Sequence, residues 1–354
     1  MSTFMQTMAA VLFEINKPLV IEELIIPDLK AGQVLVRIHY SGVCHSQLNE
    51  VRGLKGEDKF LPHTLGHEGS GIVEGVGPEV KKVKPSDHVV MSWIKAGGAD
   101  VPSTQYRSKN EGLTVNSGPI STFMEYAIIS ENRLIPISKE MSLREAALLG
   151  CAIPTGAGIV MRAAQVRPGS SVAVFGVGGI GLSAIMFSSL MNATTIIAID
   201  VFNHKLEHGC QVGATHRINA RQQDPLATIM DITRGRGVDY AIEAAGQRKT
   251  MEIAFQSVRD CGGLCVLAGN LPQGERISID PFDLIKGKRI IGTWGGETQP
   301  DRDIPLYVGL YLAGKLKLEA LITHEYKLKD INQAFDDLKQ GKVGRALIDM
   351  PKHH

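Results

Sequence analysis

The chain has 354 residues, of which 44% are hydrophobic and 21% charged, so it is long enough for two domains, each with its own core. Its formal net charge is +1, and the sequence contains no strongly basic or acidic tract. Both observations argue against a nucleic-acid or membrane-surface partner. The N-terminus lacks a basic segment followed by an apolar one, and the five cysteines are an odd number, so we expect a cytoplasmic protein without a disulfide framework.

The first part of the chain is predicted to be β structure. Apolar and polar residues alternate in MAAVLFEI and LVIEELII, and GQVLVRIHYSGV, SGIVEGVG and DHVVMSWI continue the pattern between turns that contain Gly or Pro. Short strands separated by turns are typical of a barrel-like all-β unit.

From Ser171 onward, predicted strands and helices alternate. The strands are SSVAVFG, TTIIAID, HRINA, VDYAIEAAG, GGLCVLAGN and KRIIGTWGG, and the helices are GGIGLSAIMFSSLMN, NHKLEHGCQVG and PLATIMDITRG. This alternation predicts a doubly wound parallel sheet. Residues 170–199 carry no charged residue and are long enough to span a bilayer, but their early glycines argue against a membrane helix.

The last part of the chain combines two amphipathic helices, DIPLYVGLYLAGKLKL and DINQAFDDLKQGK, with two strands, ALITHEYKL and RALIDM. We expect this part to return to the first domain, with a hinge near Thr293–Gly296.

A glycine-rich turn joins the first strand of the parallel sheet to its helix. Its glycines are Gly176, Gly178, Gly179 and Gly181. Such a turn lets backbone approach a pyrophosphate at a helix N-terminus. Asp200 ends the next strand, at about the 20-residue spacing of a ribose-binding acid, and would repel a 2′-phosphate, so NAD is favoured over NADP. Lys205 either reaches the adenosine ribose or lies on a solvated helix surface.

Three potential metal ligands follow apolar segments beside small residues: Cys44 in SGVCHS, His67 in GHEG and Cys151 in LGCAIPTG. Two cysteines and one histidine with an open fourth position form a known catalytic zinc arrangement. Sequence distance alone does not bring them together, and buried inert thiols with a core histidine are the alternative.

These motifs carry a resemblance that covers nearly the whole chain. GVCHS, GHEGSGIVEGVG, the SWI after DHVV, GCAIPTG and GVGGIG occur in the order and spacing of the zinc-dependent alcohol dehydrogenases of the medium-chain dehydrogenase/reductase superfamily. The resemblance implies a GroES-like β-barrel catalytic domain over residues 1–153 and 295–354, and a Rossmann domain that binds NAD over residues 154–294.

The resemblance also implies roles for individual residues. Cys44, His67 and Cys151 match the catalytic zinc ligands, and Glu68 matches an acid behind the metal. Ser46 matches the hydroxyl that takes the substrate proton, Thr155 a residue at the nicotinamide, and Arg345 and His45 residues at the pyrophosphate. Trp93 matches an aromatic of the substrate pocket, with an ordinary core aromatic as the alternative, and Phe123 is expected nearby.

Three positions depart from the family pattern. The stretch KAGGADVPSTQYRSKNEGLTVNSG has none of the four cysteines that hold a structural zinc in many members, so we expect one catalytic zinc ion and no structural zinc. Gln47 replaces an Asp that orients the zinc-bound histidine, and an amide brings no charge. Asn49 replaces a histidine of the proton relay, for which His45 or water could substitute.

The predicted function is an NAD- and zinc-dependent alcohol dehydrogenase acting on a small-molecule alcohol or carbonyl compound. Alternatives are a polyol, sugar or nucleotide-sugar dehydrogenase, a zinc-free reductase, and a non-catalytic NAD-binding relative. The family suggests a homodimer or homotetramer, in which GKRIIGTW would join the subunits.

Overall fold

The computed structural model describes residues 5–351. The chain forms two compact units. Unit 1 comprises the chain up to Cys151, Gln299–Gly314 and the chain from Ile322 onward, and unit 2 comprises Ala152–Thr298 and Lys315–Leu321.

Each predicted β segment contains a strand, and five further short strands between residues 63 and 137 were not predicted. In chain order they are β1 Gln6–Leu12, β2 Val20–Ile25, β3 Gln33–Val43, β4 His63–Thr64, β5 Glu68–Val76, β6 His88–Ser92, β7 Gln105–Ser108, β8 Thr114–Asn116, β9 Tyr126–Ser130, β10 Leu134–Ile137, β11 Ser171–Phe175, β12 Thr195–Asp200, β13 His216–Asn219, β14 Tyr240–Glu243, β15 Leu264–Leu267, β16 Arg289–Gly292, β17 Ile322–Lys327 and β18 Arg345–Asp349.

The α-helices are short and belong mostly to unit 2. They are α1 His45–Val51, α2 Leu143–Ala146, α3 Ala152–Gly158, α4 Gly179–Leu190, α5 Asn203–Gln211, α6 Pro225–Ile232, α7 Arg248–Ser257, α8 Pro281–Ile285, α9 Pro300–Leu312 and α10 Ile331–Lys339. Helix α7 was not predicted, although Met251, Ala254 and Phe255 are buried at helical spacing.

Unit 1 contains a closed barrel and a larger sheet. The barrel order is β1-β2-β7-β8-β4, and the sheet order is β10-β6-β5-β3-β18-β17, with β9 pairing β3. Residues Ala9–Leu12 of β1 are fully buried, because both faces of this strand meet apolar side chains of the core. The β-barrel part of the predicted fold class is confirmed.

Strand β18 comes from the end of the chain and lies inside the sheet of unit 1. It pairs antiparallel with β3, where Ala346 faces Val43, and parallel with β17. This pairing places Arg345 next to the end of β3, where the first cysteine motif begins.

Unit 2 is the predicted doubly wound sheet. Its order is β13-β12-β11-β14-β15-β16, and every pair is parallel. The order reverses between β11 and β14, and β11 feeds the glycine-rich turn. In open α/β sheets ligands bind at such a reversal, beyond the carboxyl ends of the strands.

Among residues 5–351, no single helix is both long and apolar enough to cross a bilayer, although the bent pair Leu143–Gly150 and Ala152–Ala163 meets the length and composition criteria together.

Candidate active site

Strand ends and a sharp turn bring the predicted ligands together in unit 1. Cys44 follows β3, His67 immediately precedes β5, and Cys151 follows a 3₁₀ turn over Ala147–Gly150. One donor atom each from Cys44, His67, Glu68 and Cys151 lies within 4.8 Å of the others. Four residues from three distant parts of the sequence therefore form one cluster of potential metal ligands.

The electrostatics of the cluster suit a cation. His67 Nε2 lies 3.3 Å from Cys151 Sγ. A hydrogen bond from Cys151, assisted by His67 and Arg345, holds the pKa of Cys44 well below its ordinary value although burial opposes the shift. Since the thiolate is the form that binds metals, a set of two cysteines and one histidine of this kind fits zinc.

The glycine before His67 is required by close packing. Gly66 has φ +100°, and a Cβ atom at this position would lie 2.6 Å from the backbone nitrogen of Phe123. A side chain at residue 66 would therefore displace the turn that aims His67 at the cluster.

Glu68 and Arg345 form an ion pair behind the potential ligands. Glu68 is fully buried and Arg345 is 5% exposed. Arg345 Nη1 also donates to the carbonyl oxygen of Val43 at 3.1 Å, and burial lowers the arginine's pKa. The sequence did not predict this pairing; the available signal was an arginine within the apolar strand RALIDM.

Packing around Glu68 leaves room only for glycines. A Cβ atom at Gly42 would lie 2.5 Å from Glu68 Cδ, and one at Gly150 would lie 2.7 Å from Glu68 Cβ. These contacts explain why glycine lies two residues before Cys44 and directly before Cys151.

Helix α1 starts directly after Cys44, with His45 and Ser46 as its first residues. The side-chain oxygen of Gln47 accepts a hydrogen bond from the Cys44 backbone N–H at 3.1 Å. The side-chain oxygen of Gln47 is therefore engaged in capping the helix, and only its amide nitrogen is left to donate to another group.

The two predicted pocket aromatics have different surroundings. Trp93 is half-buried after β6, and its carbonyl oxygen accepts a hydrogen bond from Arg133. Phe123 is fully buried and packs edge-to-face against Phe335, with ring centroids 5.9 Å apart. Phe123 is therefore a core residue, and it is not among the residues that line the cavity reaching His67.

A cavity of about 420 Å³ in unit 1 reaches His67. Its wall also includes Gln47, His63 and Asn116, and the exposed side chain of Phe60. A cavity of this size accommodates a small organic molecule.

The glycine-rich turn of unit 2 has the geometry expected for a phosphate cradle. Gly176 has φ +89°, and a Cβ atom at Gly181 would lie 1.9 Å from the carbonyl oxygen of Gly176. A Cβ atom at Gly178 would meet nothing within 4 Å, so open space lies at the N-terminus of α4. This arrangement fits a dinucleotide.

Asp200 ends β12 beside this turn. One carboxylate oxygen accepts the backbone N–H of Val177 at 2.8 Å, and the other accepts those of Val201 and Phe202. The carboxylate is thus held by backbone donors. Lys205 is 7% exposed, and its Nζ lies 5.3 Å from the Phe202 ring centroid, so it does not lie on a solvated surface. Thr155 is buried in α3.

Strand pairing orders residues 95–118, the stretch that has no cysteines to hold a structural zinc. Strands β7 and β8 form a hairpin whose β7 pairs β2 and whose β8 pairs β4. The buried Glu131 carboxylate accepts backbone N–H groups of Lys81, Lys82 and Ala99 at 2.6–2.7 Å.

Comparisons with known proteins agree with this site. Residues 30–139 match the alcohol dehydrogenase GroES-like domain and residues 179–310 the zinc-binding dehydrogenase domain. An S-(hydroxymethyl)glutathione dehydrogenase of Synechocystis is 36% identical over 97% of this chain and 100% of its own length.

Two crystal structures are similar along nearly their whole length. An alcohol dehydrogenase zinc-binding domain protein of Burkholderia ambifaria has a TM-score of 0.91 and 33% identity, covering 99% of this chain and 100% of that one. Benzyl alcohol dehydrogenase of Acinetobacter calcoaceticus has a TM-score of 0.88 and 31% identity, covering 98% and 100%.

The fold, the Cys-His-Cys cluster and these similarities define a metal-dependent oxidoreductase of the nucleotide-binding class. The chain belongs to the zinc-dependent alcohol dehydrogenase family of the medium-chain dehydrogenase/reductase superfamily. It transfers a hydride between an alcohol and NAD, and the comparisons favour this activity over the polyol, sugar and non-catalytic alternatives.

Proposed function

We propose that Cys44, His67 and Cys151 hold one catalytic zinc ion, the only zinc that the family pattern provides for in this chain. The observation that carries the proposal is the convergence of their donor atoms with that of Glu68 within 4.8 Å. The absence of cysteine from residues 95–118 supports a single zinc ion. Two thiolates and one imidazole leave a position for substrate.

When bound, zinc would supply Lewis acidity toward a hydroxyl, and NAD would supply the hydride acceptor. Ser46 receives the proton of the substrate hydroxyl, and His45 or water carries it onward. Glu68 and Arg345 balance each other's charge behind the ligands, so the negative thiolates meet no unpaired carboxylate.

We propose that NAD binds through the turn containing Gly176, Gly178, Gly179 and Gly181. Asp200 would accept the ribose hydroxyls, Lys205 would reach the same ribose, and Thr155 would support the nicotinamide. The open space at Gly178 and the carboxylate at the end of β12 support this assignment. Arg345 as a pyrophosphate contact stays a prediction, since its described contacts are to Glu68 and Val43.

Further expectations extend to the whole enzyme. We propose residues 1–153 and 295–354 as catalytic domain and 154–294 as NAD-binding domain, in a cytoplasmic homodimer or homotetramer. Exposed Ile291 and Trp294, on and just beyond the edge strand β16, support subunit contact there. Because two relatives are named for substrates with a CH₂OH group, we propose a primary alcohol or its aldehyde as substrate.

The test is a substrate screen that follows NADH absorbance, with benzyl alcohol, S-(hydroxymethyl)glutathione and aliphatic alcohols. Chelation should abolish turnover and zinc should restore it. Cys151→Ser should remove both zinc and turnover, whereas Cys210→Ser, a change at an exposed cysteine, should preserve them. Full zinc content and activity in Cys151→Ser would show that the ligand assignment is wrong.

A further inference from the structure

A second group of metal-ligating side chains lies away from the cysteines. One donor atom each from Glu50 on α1, Asp58 in the following loop and His63 on β4 lies within 4.8 Å of the others. Because zinc binds oxygen and nitrogen ligands at about 2.0–2.2 Å, ligands that share one ion lie roughly 3–4 Å apart. The three side chains are therefore close enough to hold one ion with small adjustments.

The imidazole of His63 faces an acceptor oxygen at each of its two nitrogens. Its Nδ1 lies 3.0 Å from the carbonyl oxygen of Thr64, and its Nε2 lies 2.8 Å from Asp58 Oδ2. Both partners are acceptors, and a neutral imidazole carries only one proton. With the Nδ1 proton donated to Thr64, Nε2 presents its lone pair to Asp58 Oδ2, an arrangement that a cation bound by both groups would satisfy. A histidine that donates one N–H to a backbone carbonyl is oriented as in many metal sites.

The carboxylates are also held in place. The side chains of His63 and Asp58 are 8% and 10% exposed, and Asp58 Oδ1 accepts the backbone N–H of Phe60 at 3.0 Å. Glu50 is paired at 2.7 Å with Lys55, whose side chain is 47% exposed. Lys55 is thus a solvent-exposed partner of Glu50, and a bound metal ion would take the place of the Lys55 ammonium.

An independent observation concerns Gln47, which lines the same cavity as Glu50 and His63. Gln47 is 1% exposed, and its amide nitrogen has no hydrogen-bond partner among residues 5–351. A buried donor left unpaired costs about 1–3 kcal/mol. An acceptor oxygen brought to this cavity wall by a ligand, or by the hydration of an ion, would satisfy the donor after a small shift of the side chain.

We propose that Glu50, Asp58 and His63 form a second divalent-cation site, separate from the cysteine cluster. Two carboxylates and one imidazole suit Zn²⁺ or Mn²⁺ in preference to a soft cation. Glu50 and His63 line the cavity that also reaches His67, so the bound ion would be accessible from that cavity. The site would give that cavity a fixed positive charge able to attract an anionic or oxygen-rich part of a ligand.

The test counts metal ions in the full chain. The protein is stripped with a chelator, titrated with Co²⁺, and analysed for bound metal by mass spectrometry and for absorption by cobalt bound to thiolate. Wild type should bind about two ions per chain, and Asp58→Asn and His63→Gln about one, with thiolate absorption unchanged. Cys151→Ser should lose the thiolate absorption while still binding cobalt at the second site.

Two further variants keep the test decisive if a buried variant misfolds. Lys55→Met removes the competing ammonium and should tighten cobalt binding at the second site about two- to fivefold. Glu57→Gln, at an exposed neighbour outside the cluster, should leave stoichiometry and affinity unchanged. A single ion per chain in wild type, or a second ion that persists in Asp58→Asn, would overturn the proposal. Neither result affects the proposed zinc site at Cys44, His67 and Cys151, because the absorption of cobalt bound to thiolate reports on that site separately.

Discussion

The Glu68–Arg345 pair is an example of how single residues hold this site. Both side chains are removed from water, and desolvation of two ions is costly unless each finds the other. The glycines at residues 42 and 150 admit the carboxylate, and the Val43 carbonyl accepts a second hydrogen bond from the guanidinium. The ion pair therefore holds the end of β3 in place, directly before Cys44.

Arg345→Met is expected to destabilise the protein by about 3–5 kcal/mol, because it leaves a buried carboxylate unpaired. Urea unfolding measures the change. The double variant Glu68→Gln/Arg345→Met should recover a large part of the loss. Equal stability of Arg345→Met and wild type would show that the pair contributes nothing.

Asp200→Ala is expected to reduce the ratio of the NADP dissociation constant to the NAD dissociation constant. The carboxylate repels a 2′-phosphate, and its loss removes that repulsion together with an acceptor for the ribose. Thermal shift titrations with both cofactors give the two dissociation constants. Asp224→Ala, which removes a helix cap elsewhere in unit 2, is the control. An unchanged NAD/NADP ratio in Asp200→Ala would contradict the role assigned to this residue.

The hairpin β7–β8 illustrates order at the level of elements. Backbone pairing with β2 and β4 places it in the barrel, and the buried Tyr106 hydroxyl accepts the Ile128 N–H at 2.7 Å. Glu131 ties the preceding segment at Ala99 to Lys81 and Lys82 through three backbone donors. Strand pairing and one carboxylate thus order a stretch that has no cysteines to bind a metal.

Glu131→Gln is expected to destabilise this segment by about 1.5–3 kcal/mol, since an amide brings an N–H against backbone donors. Burial opposes ionisation of Glu131, but the N–H groups of Ala99, Lys81 and Lys82 outweigh it and lower the pKa below 4.5. The stabilisation is therefore complete above pH 4.5 and is lost as the pH falls through the folded-state pKa.

Limited proteolysis between residues 95 and 118, together with unfolding at several pH values, measures this effect. The exposed Glu140→Gln is the matched control. A stability difference between Glu131→Gln and wild type that grows toward acid pH would contradict the assigned sign.

At the scale of the whole molecule, the site in unit 1 depends on the closing strand of the chain. Strand β18 lies between β3 and β17 and carries Arg345, so residues more than 300 positions apart complete one sheet. A metal that joins Cys44, His67 and Cys151 would link the ends of β3, β5 and the 3₁₀ turn. Metal binding and folding of unit 1 should therefore be coupled.

Removal of zinc is expected to lower the unfolding midpoint. At free zinc of about 1,000 times Kd the ion contributes about 4.1 kcal/mol. For a chain of 354 residues that unfolds as one unit, this corresponds to roughly 5–6 °C. Differential scanning calorimetry with and without chelator measures the shift. Cys151→Ser should show little response to zinc, and a full response in that variant would contradict coupling through this site.

The sequence by itself determined the periodic elements and the local motifs. Alternation of apolar residues predicted two of the five barrel strands, β1 and β2. The succession of strands and helices predicted all six strands of the parallel sheet, and the glycine spacing predicted the turn before α4. Fold class and enzyme family followed from these patterns, because strand pleat, helix period and tight turns depend on residues close in the chain.

Only the tertiary structure decided which distant side chains meet. It paired Arg345 with Glu68, gave the Gln47 acceptor to Cys44, buried Phe123 against Phe335, and joined Glu50, Asp58 and His63. These contacts depend on the order of strands and on how side chains fill the space between them. Neither property has a period in the sequence, so no local pattern could predict them.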